Sequence, residues 1–148
     1  MNYDFITKSP QQTIDLGRKF GSQLKGGEII RLTGHLGSGK THLIKGIASG
    51  AGAVEAEYVN SPTFVLVNEY PGRLDIYHID AYRIENQSEF DSIGFDDYSY
   101  PDSVVLIEWA DKIEKFLTGV TGITINLQAC TETQRRIVFS DLPPYIIL

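Results

Sequence analysis

Apolar and polar residues alternate along this chain in two rhythms. Ile14, Leu16, Phe20 and Leu24 give a partial apolar face at helical spacing. Ahead of them, Ser9-Pro10-Gln11-Gln12 carries a capping serine, a proline suited to the first turn and a glutamine at the capping-box position, and Gly26-Gly27 follows as a stop signal. The pattern predicts an edge strand over Asn2 to Lys8, a first helix from Ser9, and a strand over Glu28 to Thr33. A second helix is expected through Leu43, Ile44, Ile47 and Ala48, closed by Gly50-Ala51-Gly52. Beyond it strands dominate. Thr63 to Tyr70 and Leu74 to Ile79 flank the turn Pro71-Gly72-Arg73 and form a candidate hairpin. Val104-Val105-Leu106-Ile107 is an unbroken apolar run, as expected of a strand covered on both faces. Ser88 to Ile93 reads as a helical turn ended by Gly94, and Asp111 to Leu117 as a short helix. Ile123 to Leu127 and Arg136 to Phe139 read as a closing pair of strands before an irregular tail with Pro143-Pro144.

One segment changes this from a generic α/β reading. Gly34-His35-Leu36-Gly37-Ser38-Gly39-Lys40-Thr41 satisfies G-x-x-x-x-G-K-S/T at every fixed position, between an apolar strand and a helix. Glycines let the loop curl and bring backbone N–H groups against phosphate, where side chains would obstruct them. Those N–H groups and the helix N-terminus make a concave, positive anion site. The expected nucleotide cradle is Leu36, Gly37, Ser38, Gly39, Lys40 and Thr41. Lys40 brings a charge to the terminal phosphates and the Thr41 hydroxyl a ligand to Mg²⁺. The alternative, a fortuitous glycine-rich turn, does not account for the flanking strand and helix.

Such a loop needs a carboxylate at a neighbouring strand end. Asp80, after Leu74 to Ile79, and Glu108, after Val104 to Ile107, both qualify. The second strand is the more apolar and the better central strand, but Asp is the more usual metal-side residue. The sequence leaves open which acid ligates and which orients water, and a solvated carboxylate at a strand end is the ordinary alternative for each. Thr63, in Ser61-Pro62-Thr63, stands where a threonine sensing the terminal phosphate is often found, although Ser-Pro also begins ordinary turns. His78 shares a strand face with Asp80 and could look into the same cleft; a lone histidine more often only satisfies a hydrogen bond. Trp109 reads as a packing residue rather than a stacking platform.

Length and charge narrow the function. At 148 residues the chain fits one domain. A net charge of −6 argues against a large direct nucleic-acid surface, which needs Lys and Arg at the phosphates. With Cys130 as the single cysteine there is no internal disulfide, consistent with a reducing, cytoplasmic setting. Neither a signal peptide nor a membrane-spanning run is expected. A small-molecule kinase is the main competing enzyme class, but six arginines and no arginine-rich lid segment speak against it. No Asn-Lys-x-Asp block supports guanine recognition.

The ordered blocks Gln12-Thr13-Ile14-Asp15-Leu16-Gly17, the glycine-rich loop, Ser61-Pro62-Thr63-Phe64, His78-Ile79-Asp80-Ala81-Tyr82-Arg83, Gly94-Phe95-Asp96-Asp97-Tyr98 and Ile107-Glu108-Trp109 resemble the bacterial TsaE family, the ATPase of tRNA threonylcarbamoyladenosine biosynthesis. The resemblance runs along most of the chain. It implies an α/β P-loop NTPase-like single domain, a short parallel sheet with added antiparallel strands and flanking helices. It also implies slow ATP hydrolysis with Mg²⁺ in a complex with TsaD and TsaB, little direct tRNA binding and no membrane. By position it assigns Thr41 and Glu108 to the metal, Asp80 to hydrolysis, Thr63 to the switch-like role and Trp109 to the family's tryptophan beside the acid, while the motif itself gives Lys40 its catalytic part at the terminal phosphate. His35 stands where the family usually has Asp, His42 where it has Thr, and Ala110 where Pro follows Glu-Trp. These departures bear on the charge near the nucleotide and leave the backbone donors of the loop in place.

Overall fold

The structure, a computed structural model, describes residues 2–35, 38–53 and 67–148. Strand β1 (Tyr3–Thr7) leads into helix α1 (Pro10–Gly21), strand β2 (Ile29–Gly34) and helix α2 (Lys40–Gly50). Strands β3 (Val67–Tyr70) and β4 (Asp75–Asp80) follow, then a 3₁₀ turn (Ala81–Arg83) and helices α3 (Gln87–Ile93) and α4 (Phe95–Tyr98). Strand β5 (Ser103–Glu108), a 3₁₀ segment (Ala110–Phe116), and strands β6 (Ile123–Ala129) and β7 (Arg135–Ser140) complete the chain.

The strands form one seven-stranded sheet in the order β1-β7-β6-β2-β5-β4-β3. Neighbours within β6-β2-β5-β4 are parallel, whereas β7 and β1 on one side and β3 on the other are antiparallel. The expected short parallel sheet with antiparallel additions is therefore present. Every residue of β5 is buried, as its apolar run requires of a strand covered on both faces. One face packs Ile30, Leu32, Ile76, Val104 and Leu106 against Leu43, Ile44 and Ile47 of α2 and Phe20 of α1. The other packs Ile79, Val105 and Ile107 against Phe95, Ile113 and Leu117.

Helix α1 begins as its sequence dictates. Ser9 is the cap, its hydroxyl accepting from the N–H of Gln12 at 3.1 Å, while Gln12 Oε1 accepts from the N–H of Lys8 at 2.7 Å. It ends at Gly21, well before the Gly26-Gly27 signal. The helix is closed by Ser22, whose N–H donates to the Arg18 carbonyl, and Arg73, from the β3–β4 turn, donates to the carbonyls of Gly21 and Leu24 at 3.1 and 2.8 Å. That long-range contact is absent from any local window, and Leu24 is buried beyond the helix rather than on its face. Helices α1 and α2 touch backbone to backbone. A Cβ on Gly46 would lie 2.1 Å from the Ile14 carbonyl oxygen, so a side chain there would force the pair apart. The expected helix over Asp111 to Leu117 is instead the 3₁₀ segment, with non-helical geometry at Ile113. The tail has no regular element, yet Ile146 is fully buried and Gln23 is hydrogen-bonded to both the N–H and the carbonyl of Ile147.

Candidate nucleotide site

Parallel strands deliver their C-terminal ends to one edge of the sheet, where α/β folds place ligands. Here β2 ends at Gly34, β4 at Asp80 and β5 at Glu108, and Asp80 pairs in register with Glu108. The sharp apolar-to-polar change at the end of β5 therefore falls beside the strand that feeds the glycine-rich loop. A cavity of about 580 Å³ opens at this edge, with Ser38, Gly39, Lys40, Thr41, Asp80 and Glu108 on its wall. Tyr82, Arg83, Trp109, Arg135 and His42 complete the lining.

The cradle is preset by backbone geometry. Gly39 precedes α2 at φ 96°, a left-handed conformation that favours glycine, and no side chain caps the helix among the described residues. The amides at the start of α2 thus keep their anion-binding capacity. Ser38 is 2% exposed, and its Oγ has no hydrogen-bond partner among the described residues although it borders the cavity. A buried hydroxyl without a partner is costly unless a ligand engages it. Leu36 and Gly37, the other two cradle residues expected from the sequence, lie outside the described residues, as does Thr63.

Lys40 is buried; its Nζ donates to the Gly34 carbonyl at 2.8 Å and lies 3.4 Å from the centroid of the Trp109 ring. Burial pushes its pKa below the ordinary lysine value, while Glu108, Asp80 and Asp111 act in the opposite direction. Trp109 packs against the core on the Ile79, Val105 and Ile107 face of the sheet, as expected, and is also a partly exposed wall of the cavity that covers the ammonium. It adopts φ 58°, rare for a non-glycine residue and a strain on the order of 1–3 kcal/mol. Tyr82 lies against its ring at 5.0 Å between centroids.

The two acids differ in setting. Asp80 caps the following 3₁₀ turn, one oxygen accepting from the Tyr82 N–H at 3.0 Å. Glu108 is 3% exposed, with Oε1 3.1 Å from His78 Nε2. His78 shares the strand face of Asp80 as expected, but it is fully buried behind the cavity and lines none of it. The consecutive arginines also part. Arg135 faces the cavity, whereas Arg136 forms an ion pair with Asp4 of β1 at 2.6 Å. Only the alternation along β7 could have separated them.

The donor set fits a nucleoside triphosphate with Mg²⁺. Lys40, Arg83 and Arg135 offer cations to phosphate, and the Thr41 hydroxyl with the two carboxylates offers hard oxygens. No group of three or more His, Cys, Asp or Glu able to hold a metal occurs among the described residues. A metal here would need phosphate and water oxygens as well, which is how Mg²⁺ is usually bound. No helix among the described residues is long and apolar enough to cross a membrane.

Comparison with known proteins gives the family. The family model described as "Threonylcarbamoyl adenosine biosynthesis protein TsaE" matches residues 7–137. A tRNA threonylcarbamoyladenosine biosynthesis protein TsaE from Bacillus subtilis (strain 168) is 37% identical over 135 residues, 90% of this chain and 82% of the relative. The protein of the same description from Treponema pallidum (strain Nichols) is 36% identical over 132 residues, 89% of this chain and 96% of the relative. The crystal structure of Bacillus subtilis YdiB superposes with a TM-score of 0.74 at 29% identity, covering 94% of this chain and 84% of that one. With its glycine-rich loop, its two strand-end acids and these relatives, the chain belongs to the TsaE family of threonylcarbamoyladenosine biosynthesis proteins.

Proposed function

We propose that the cavity binds ATP with Mg²⁺ and hydrolyses its terminal phosphate, and that the protein serves as the ATPase that keeps TsaD and TsaB turning over in tRNA modification. The observation that carries this reading is the convergence of Lys40, Thr41, Asp80 and Glu108 on one cavity at the uncapped start of α2. The loop amides and Ser38 Oγ hold phosphate oxygens, and Lys40 leaves the Gly34 carbonyl and the indole face to meet the charge that develops on the terminal phosphoryl group. Thr41 and Glu108 would hold Mg²⁺, which would supply positive charge to offset that of the phosphates. Asp80, already fixed through the Tyr82 amide, orients the attacking water. Thr63 completes the set as the threonine that senses the terminal phosphate, and Leu36 and Gly37 add backbone donors. The protein's net charge of −6 favours action through partner proteins over an extensive tRNA surface of its own, and the setting proposed is the cytoplasm.

The test is tRNA modification reconstituted with TsaD and TsaB, run in parallel with phosphate release. Replacing Glu108→Ala should cut Mg²⁺-dependent phosphate release by about 100-fold, the scale of a lost transition-state electrostatic contact. Lys40→Ala should confine modification to a single round. Undiminished multiple-turnover modification by the lysine variant would overturn the proposal.

A further inference from the structure

The centre of a parallel sheet is normally apolar. His78 breaks that rule on β4, in register with Leu106 of β5 and within a strand that also contributes buried Ile76 and Ile79. It is 0% exposed, and both ring nitrogens lie against polar groups of neighbouring strands. Nδ1 is 3.1 Å from the hydroxyl of Tyr70 on β3, and Nε2 is 3.1 Å from Oε1 of Glu108 on β5.

The chemistry of the partners sets the roles. An ionised carboxylate only accepts, so the nitrogen facing Glu108 is the protonated one. Nδ1 then accepts from the Tyr70 phenol. The Nε2 contact is short but off the line of an ideal hydrogen bond, and this nitrogen has no aligned acceptor among the described residues. Its donor capacity is therefore directed at Glu108, the acid that lies 3.1 Å away. A histidine kept in a dry sheet only for packing would be better replaced by leucine, because burying a polar ring without strong hydrogen bonds is unfavourable.

We propose that His78, itself oriented by Tyr70, is a positioning residue that holds the Glu108 carboxylate in the orientation that meets Mg²⁺ of a bound nucleotide. The proposal rests on the reading of the cavity as a magnesium-nucleotide site. It gives the His-x-Asp spacing two separate tasks. Asp80 reaches the cavity, and the histidine two residues earlier, on the same face but one layer deeper, steadies the acid of the adjoining strand. It also links the edge strand β3 to the site, since the Tyr70 hydroxyl is one side chain removed from Glu108.

Calorimetry with a non-hydrolysable ATP analogue tests it, comparing titration of Mg²⁺ into the protein–analogue mixture with analogue binding in EDTA. Partners that orient a metal ligand typically contribute 10–100-fold in metal affinity, so His78→Leu should raise the Mg²⁺ requirement by about that factor. Affinity for the metal-free analogue should stay within about twofold, because the phosphate cradle is untouched. His78→Gln, whose amide can donate to Glu108, should recover most of the loss, and Tyr70→Phe should shift the requirement severalfold in the same direction. A folded His78→Leu protein with the wild-type Mg²⁺ requirement would overturn the proposal. If the leucine variant does not fold, an unchanged requirement in Tyr70→Phe would do so. Absence of any Mg²⁺ effect in the wild-type protein would instead remove the nucleotide reading beneath it.

Discussion

The two ends of strand β2 carry cavities of similar size and opposite character. At its C-terminal end the cavity of about 580 Å³ gathers Lys40, Asp80 and Glu108, and at its N-terminal end one of about 510 Å³ is bordered by Gly27, Glu28, Arg31 and Asp141. Volume does not distinguish them; the backbone and the charged groups around them do. Glu28 accepts from the N–H groups of Lys25 and Gly26 at 2.8 and 2.7 Å and from the Tyr145 hydroxyl at 2.7 Å, and Arg31 donates to the Val120 carbonyl. Those charges tie a turn, a loop and the C-terminal tail to the sheet. At the other end α2 starts without a side-chain cap and Ser38 Oγ has no partner among the described residues. Each end also leaves one buried polar atom without a partner among the described residues, Arg31 Nε at the N-terminal end and Ser38 Oγ at the C-terminal one, so what sets the latter apart is the left-handed glycine that opens α2 and the convergence of a lysine with two carboxylates.

The largest expected effect that would break this contrast is on Lys40. Removing its ammonium with Lys40→Ala should weaken triphosphate binding by about 100-fold, since a hydrogen bond to a charged group is worth roughly 1.5–3 kcal/mol and the lost charge adds to it. Stability should change little, because the ammonium is a desolvated charge whose burial cost offsets its carbonyl hydrogen bond, its indole contact and its attraction to Glu108 and Asp80. Calorimetry gives the affinity and thermal unfolding the stability. Equal affinity in variant and wild type would return the cavity to the status of its counterpart.

Glu28→Ala is the mirror experiment. It should leave nucleotide affinity unchanged and lower unfolding stability by roughly 1.5–3 kcal/mol, the scale of a hydrogen bond to a charged group. Urea unfolding measures the loss. A nucleotide-affinity defect with intact stability would mean the assignments of the two ends are reversed.

How much of this contrast was legible in the sequence follows from the range of the interactions that create it. The glycine-rich loop is contiguous, so Gly34, Gly39, Lys40 and Thr41 declare a phosphate site by spacing alone. Asp80 and Glu108 end apolar runs and could be named as candidates, but only the β4–β5 register places them side by side. The contact between His78 and Glu108 spans three intervening facts: the strand order, the register and the shared face. None is local, so the histidine could be placed on Asp80's face but not behind Glu108. The departure of α1 from its expected end has the same origin, because the Arg73 side chain that holds the chain after Gly21 comes from another turn. Glu28 gave no signal at all, since Tyr145 reaches it from the far end of the chain.

Tyr145 offers the smallest and most discriminating probe of the structural end. Burial, then its hydrogen bond to Glu28, raises the phenol's pKa above the ordinary value of about 10. The folded state therefore keeps a proton that the unfolded chain releases above pH ~10. The resulting stabilisation is complete below the unfolded value and is lost as pH rises through the raised one. Tyr145→Phe removes the hydroxyl and with it this dependence. At pH 8 the variant should be less stable by about 1 kcal/mol, one net hydrogen bond. At pH 11 the gap should narrow, because the wild-type protein alone loses this stabilisation on the way. Urea unfolding of both proteins at the two pH values measures the difference directly, other groups cancelling between them. A gap that stays constant would show that the phenol–carboxylate contact does not fix the tail to the sheet, and that Glu28 owes its burial to the Lys25 and Gly26 amides alone.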